Sequence, residues 1–253
     1  MKHYSVAEIR ASYEQKRDWE RQFPVSYYIF RPLSFPLTSA LSRLTNSAQA
    51  IAWAGLCVGI AACALLASRA FGPWPGIAGL ALFSLLDAAD GNMARATGSV
   101  TRYGKLLDGV LGKLVEGSYL AALAAGLYFS GDSGLKELLR PASPWTLLSG
   151  FIALAAMLYS GYLESAYDAM RAEASGGAPK DPGARIGSSR FRGNVVYAVF
   201  INLHAFNLQV LLLGLATLAG GETAFLVFIA GYYLVRLAVL FPYYLLKGRA
   251  ELS

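Results

Sequence analysis

Six predominantly apolar stretches recur along the chain, at approximately 47–70, 73–97, 101–130, 143–173, 191–219 and 222–246. Each is long enough to cross a hydrocarbon core of ~30 Å as a helix of ~20 residues. The pattern predicts an all-α fold, an integral membrane bundle of six transmembrane helices. Residues 4–22 follow a different rhythm, with Val6, Ile9, Tyr13 and Trp19 set among Glu8, Arg10, Glu14, Lys16, Arg17, Asp18, Glu20 and Arg21. That rhythm predicts an interfacial amphipathic helix on the membrane surface, with packing on a partner subunit as the competing arrangement. Pro24, Pro32 and Pro36 follow, and each is expected to interrupt a helix. The chain therefore divides into a cytosolic or interfacial segment, 1–46, and a transmembrane domain, 47–253.

Small residues punctuate the apolar stretches, with Gly55 and Gly59 in the first and Gly76 and Gly79 in the second. They predict close helix approach, because lipid supplies no hydrophobic drive between helices and packing must supply it instead. Tyr232, Tyr233, Trp145 and Tyr197 read as membrane-belt or packing aromatics. His204 and Asn207, three apart in the fifth stretch, predict an interhelical hydrogen bond. The Gly-rich run 175–189, with Pro179 and Pro182, reads as a cytosolic loop.

Composition agrees with a membrane location: 55% of the 253 residues are hydrophobic and 15% charged, with a mean hydropathy of +0.43. No cleavable signal peptide is apparent, since the first apolar run follows a long charged segment. Lys2, Arg10, Lys16, Arg17, Arg21, Arg31 and Arg43 precede the first span, and Arg171, Lys180, Arg185, Arg190 and Arg192 cluster between the fourth and fifth. The opposite connections carry only Arg69, Lys136 and Arg140. By the positive-inside rule both termini face the cytoplasm. The net charge of +6 is thereby assigned to membrane topology and anionic headgroups, and no nucleic-acid partner is expected. Cys57 and Cys63 lack metal-ligand spacing and read as packing residues.

One feature departs from this apolar background. Asp87, Asp90 and Asp108 lie inside segments that would otherwise cross the membrane. Ionisable groups at that depth face a protein interior or a wet cavity and bind something. Asp87 and Asp90 share a helix face, and a short connection at 97–101 brings Asp108 to the same place. Three carboxylates so placed suit a hard divalent cation, Mg²⁺, Mn²⁺ or Ca²⁺. Gly91 and Gly104 let a ligand approach the backbone, and Arg95 offers a fork for phosphate. Two other readings compete: a structural carboxylate–arginine network, and an ion-translocating protein.

The order Asp-x2-Asp-Gly-x2-Ala-Arg-x8-Gly-x3-Asp, filled by Asp87, Asp90, Gly91, Ala94, Arg95, Gly104 and Asp108, resembles the signature of the CDP-alcohol phosphotransferase family. Arg31-Pro32-Leu33-Ser34 and Thr45-Asn46 are similar to the family's approach to its first span. Ser165-Ala166-Tyr167 and Arg171-Ala172-Glu173 resemble a stretch in members that make phosphatidylinositol phosphate or phosphatidylglycerophosphate. The resemblance implies a membrane transferase of phospholipid synthesis, moving a phosphoalcohol group from a CDP-alcohol such as CDP-diacylglycerol to a hydroxyl acceptor. It also implies Mg²⁺ or Mn²⁺ on Asp87, Asp90 and Asp108, and nucleotide contacts from Gly91, Ala94, Arg95, Gly104 and Asn46. A homodimer in a prokaryotic plasma membrane, with its active site toward the cytoplasm, is implied as well. Lys105, Lys113, Arg171, Arg190 and Arg192 form a candidate basic rim for a phosphorylated acceptor.

The family signature ends with a further aspartate four residues after Asp108, taken to be the general base, and this chain has Gly112 there. Three explanations stand. Glu116, one turn on, substitutes; the acceptor supplies its own base; or the protein binds metal and cytidine nucleotide without efficient turnover.

Overall fold

The computed structural model describes residues 2–130, 144–174 and 195–252, and these contain helices and no strand. Helix α1, Val6–Glu20, begins at a capping box in which the Ser5 side chain accepts from the Glu8 backbone and Glu8 reaches back to Ser5, satisfying two otherwise orphaned donors. The chain continues through α2 (Arg31–Leu41), α3 (Ala48–Ser68), α4 (Trp74–Ala96), α5 (Arg102–Ser130) and α6 (Pro144–Ala174). It ends with α7 (Val195–His204), α8 (Phe206–Leu218) and α9 (Glu222–Leu252). Lys136, Arg140, Lys180, Arg185, Arg190, Arg192 and the 175–189 run lie outside the described residues, as does the Tyr197 side chain.

The apolar stretches and the observed helices agree closely, with one correction. The fifth stretch is broken: α7 and α8 meet at 79° around Ala205, whose backbone is extended. Four helices, α3, α5, α6 and α9, are long and apolar enough to span a membrane, or five spans if the bent pair counts as one. α4 falls outside that set because it carries Asp87, Asp90 and Arg95. Gln209 compensates the break by donating to Leu203 O at 2.7 Å and to the Tyr233 hydroxyl at 2.9 Å, while Tyr119 donates to its carbonyl at 2.5 Å. Irregular backbone at membrane depth requires such internal partners.

The break also separates His204 from Asn207. The His204 ring meets Tyr233 edge-on and its Nδ1 has no hydrogen-bond partner, so the interhelical bond expected there is made by Gln209 instead. Tyr232 and Tyr233 are core residues, whereas Trp145 is exposed. Both cysteines are free thiols.

Close packing follows the small residues. A Cβ on Gly59 would stand 2.6 Å from Val115, and one on Gly79 would stand 2.7 Å from Ala62. The tightest approach was not among the expected ones: at Gly126 a Cβ would lie 2.1 Å from the Leu66 carbonyl. α5 therefore passes directly over the end of α3. Beside it Arg69 and Glu222, both nearly buried, pair at 2.9 Å, joining the start of α9 to the end of α3.

At the opposite end, a π-helical turn over Ser26–Phe30 runs straight into α2. The expected interruption at Pro32 and Pro36 does not occur. Pro32 stands where the π-helical turn gives way to α2, and Ser34 and Thr38 hydroxyls bond carbonyls of the same helix at 2.8 and 2.7 Å. Burial of Arg31, Ser34, Phe35 and Thr38 between α1 and α4 outweighs the local cost of Pro36.

The apolar face of α1 packs on the chain itself: Ile9 and Tyr13 are buried with Phe35 of α2 and adjoin Ala96 of α4. Arg31 fixes this arrangement. It pairs with Glu20 through Nε at 2.9 Å and Nη2 at 2.5 Å, and reaches Asn92 Oδ1 at 3.1 Å through Nη1. Its guanidinium lies 4.9 Å from the Tyr13 ring centroid.

Two outcomes test this fold. Gly126→Val should lower Tm by roughly 5 °C or more, as overpacking against backbone does, while Gly161→Ala, with open space around it, should leave thermal unfolding unchanged. Arg31→Met should cost about 3–5 kcal/mol, since it strands a buried carboxylate; an Arg31→Met/Glu20→Gln double variant should recover most of that loss in a double-mutant cycle.

Candidate active site

The acidic constellation is assembled by one tight turn. α4 ends as Thr97 returns its hydroxyl to Met93 O at 2.8 Å and Ser99 N bonds Ala94 O at 2.9 Å. Gly98 between them takes a positive φ of 69°, the left-handed conformation that glycine adopts without strain at a helix end. Thr101 then caps α5, its hydroxyl accepting from Gly104 N at 2.9 Å. The hairpin expected at 97–101 is present, and it sets Asp108 opposite Asp87 and Asp90.

Asp87, Asp90 and Asp108 line one crevice with Gly112, Leu111 and Phe83, closed on the far side by Ala52 and Gly55 of α3. Its volume is about 10 Å³, room for a single ion or water. Asp90 is buried, whereas Asp87 and Asp108 are open to the cleft. Asp87 and Asp108 are close enough to interact electrostatically with each other. Among the described residues no His, Cys, Asp or Glu trio is already drawn together as a metal-binding cage. The three carboxylates also have no ion-pair partner among those residues, so the crevice has hard oxygen donors and net negative charge. That donor set fits a hard divalent cation.

Gly112 faces this crevice. A Cβ there would meet nothing nearer than Asp87 Oδ1 at 4.0 Å, so the position has space for a side chain and carries none. Asp87 and Phe83 also border a second cavity of about 130 Å³, lined further by Ser84, Glu116, Phe206 and Asn207. Glu116 thus reaches the neighbourhood of Asp87, where it is held in an ion pair with Lys113.

Arg95 is positioned by Asn92, whose Oδ1 accepts from Arg95 Nη2 at 2.7 Å. Asn92 in turn donates to Ser34 at 2.9 Å and Thr38 at 3.3 Å. Gly91 lies under the guanidinium: a Cβ would stand 3.3 Å from Arg95 Nη1. Its lack of a side chain therefore makes room for Arg95 as well as for any ligand. Ala94 lies on the same helix, half-buried, and Gly104 opens the exposed start of α5. Arg95 Nε and Asn46 Oδ1 are both buried without a hydrogen-bond partner.

Three residues of the candidate basic rim, Lys105, Lys113 and Arg171, lie among the described residues. Lys105 is on the exposed start of α5, Lys113 is paired with Glu116, and Arg171 pairs with Glu251 at 3.3 Å. Glu251 also receives the Tyr167 hydroxyl. Arg190 and Arg192 lie outside the described residues.

Several contributors were not singled out from the sequence. Glu20 and Asn92 act through contacts 11 and 61 residues apart in the chain, which no local pattern displays. Lys16 is a clearer omission: its spacing from Ile9, Tyr13 and Glu20 puts it on the inward face of α1. Burial and the neighbouring Arg31 hold its ammonium below the usual lysine range, opposed by Glu20 and, more weakly, Asp108.

Comparisons with known proteins agree with this geometry. A model of the CDP-alcohol phosphatidyltransferase family matches residues 45–243. A phosphatidylinositol phosphate synthase of Mycobacteroides abscessus is 33% identical over 94 residues, covering 37% of this chain and 42% of that protein. One from Cutibacterium acnes is 31% identical over 96 residues, covering 38% and 45%. The matched part thus spans less than half the length of either relative. With the family match running through every helix from α3 to α9 and enclosing the whole acidic crevice, this chain belongs to the CDP-alcohol phosphatidyltransferase family.

Proposed function

We propose that this protein transfers a phosphatidyl or similar phosphoalcohol group from a CDP-alcohol, with CDP-diacylglycerol as the donor, to an acceptor hydroxyl. The observation that carries the reading is three carboxylates lining one crevice without a counter-ion, next to an arginine with a buried unpaired N–H. Asp87, Asp90 and Asp108 are the residues that hold Mg²⁺ or Mn²⁺. When bound, the cation supplies positive charge against the pyrophosphate. Arg95, braced by Asn92 over Gly91, presents its free Nε–H to a phosphate oxygen, and Gly104 and Asn46 flank the nucleotide. The acceptor oxygen forms a new bond to the β-phosphorus while the bond to CMP breaks, and the hydroxyl proton passes to a base. Holding donor and acceptor in line is the larger part of the protein's task.

Both relatives are phosphatidylinositol phosphate synthases, which makes an inositol phosphate the first acceptor to test. The basic residues flanking the first span support a site that opens to the cytoplasm of a prokaryotic cell, and the family supports a homodimer.

A second reading is favoured by one observation, Gly112. The chain then binds metal and cytidine nucleotide with little turnover, because the crevice lacks a base at the position that faces it. Glu116 is a weak substitute while Lys113 neutralises it.

The two readings separate in one experiment on the purified full-length chain. CMP and CDP-diacylglycerol binding should require a divalent ion and be lost in Asp90→Ala. Gly112→Asp should raise transfer by about 10²–10⁴ if only the base is lacking, the usual contribution of such a group. High native turnover unaffected by Gly112→Asp but abolished by Glu116→Gln would assign the base to Glu116. Absence of any cytidine-nucleotide binding would refute both readings.

A further inference from the structure

α1 turns four residues toward the bundle at helical spacing, Ile9, Tyr13, Lys16 and Glu20. Ile9, Tyr13 and Glu20 are 0%, 4% and 3% exposed, and Lys16, on the same face, is half-buried. Glu20 already has its cation in Arg31. Lys16 has no hydrogen-bond or ion-pair partner among the described residues, and its ammonium rests 5.3 Å from the Trp19 ring centroid. Arg31, Arg95, Glu20 and Asp108 are all within its electrostatic reach. Lys16 thus carries its charge on the face of α1 that packs on the bundle.

Its neighbours share the same deficit. Trp19 Nε1 and Arg95 Nε are each buried with no hydrogen-bond partner. Ammonium, indole and guanidinium groups donate and do not accept, so Lys16, Trp19 and Arg95 cannot satisfy one another. What this set lacks is an acceptor bearing negative charge, with several oxygens to serve donors from two helices. A phosphate group has those properties.

We propose that the underside of α1, with Lys16 as its cation, forms with Arg95 a binding subsite for a phosphate group, so that the N-terminal helix is part of the substrate site. The subsite rests on the proposed function for the identity of its phosphate, which comes either from the donor's pyrophosphate or from a phosphorylated acceptor. Lys16 and Arg95 both lie within electrostatic reach of Asp90 and Asp108, which suits both sources. A purely structural lysine that offsets the acidic crevice is the competing account, and it predicts no loss of anion affinity when the charge is removed.

The test uses the full-length chain in lipid nanodiscs and inorganic pyrophosphate as the probe, titrated calorimetrically without divalent ions. Lys16→Gln should weaken pyrophosphate binding by about tenfold or more, Lys16→Arg should retain most of it, and Lys2→Gln, whose lysine pairs with Glu8, should match the native chain. All three should unfold at the native temperature. If CMP and CDP-diacylglycerol affinity falls in parallel, the phosphate belongs to the donor. If donor affinity is kept while KM for inositol phosphate rises, it belongs to the acceptor. Pyrophosphate binding that is undetectable in the native chain, or equal in native and Lys16→Gln proteins, overturns the subsite. Loss of metal-dependent CMP binding in the native chain would refute the proposed function alone, because the pyrophosphate titration needs neither cytidine nor metal.

Discussion

The bidentate pair between Arg31 and Glu20 is the contact on which the functional end of this bundle depends. A guanidinium that is 7% exposed and a carboxylate that is 4% exposed tolerate such burial only when their hydrogen bonds are nearly complete. Completing them draws in α1 through Glu20, α2 through Arg31 itself, and α4 through Asn92 and the Ala88 carbonyl at 3.3 Å. Asn92 then passes the constraint to Arg95. The position of Arg95 is thus set by a glutamate in α1, three contacts away. This chain of contacts also explains why the apolar face of α1 is turned inward, since the pair at Glu20 holds that helix against α2 and α4.

The two ends of the bundle solve the problem of buried charge differently. At the Arg69 end, opposite charges are paired: Arg69 meets Glu222 at 2.9 Å, and Thr217 adds a further hydrogen bond to Glu222 at 2.8 Å, although Arg69 Nε and Nη2 are buried without partners. At the Thr97 end, among the described residues, the three carboxylates have no cation paired with them, and Trp19 Nε1 and Arg95 Nε are buried without an acceptor. An excess of acceptors beside an excess of donors suits a ligand that is itself both cationic and anionic, as a metal–phosphate assembly is. The broken helix α7–α8 contributes here as well, because its bend carries Asn207 to the cavity that borders Asp87.

Much of this was legible in the amino-acid sequence. Five of the six apolar stretches each correspond to one helix, α3, α4, α5, α6 and α9, because length and hydropathy act locally along the chain. The spacing of Asp87, Asp90 and Asp108 announced a shared locus, because a helix face and a short turn are local geometry too. What escaped was non-local or conditional. Pro36 was expected to break a helix, and packing of its neighbours between α1 and α4 overrode that preference. The break at Ala205 carries no proline or glycine, so nothing in its own sequence signals it; it is held by Gln209, Tyr119 and Tyr233 from three helices. Lys16 was counted among polar-face residues, although its spacing from Ile9 and Tyr13 placed it inward.

Gly112 has a consequence in genetic terms. Glycine and aspartate codons can differ by a single base, and the space around Gly112 presents no steric barrier to a carboxylate, with Asp87 Oδ1 at 4.0 Å as the nearest atom to an added Cβ. Gly126 is the opposite case, where backbone contact at 2.1 Å forbids any side chain. Volume therefore excludes replacement at Gly126 and permits it at Gly112, where mutation can sample a carboxylate without first remodelling the bundle. Whether such a change persists is decided by the charge and chemistry of the crevice, and not by the fold.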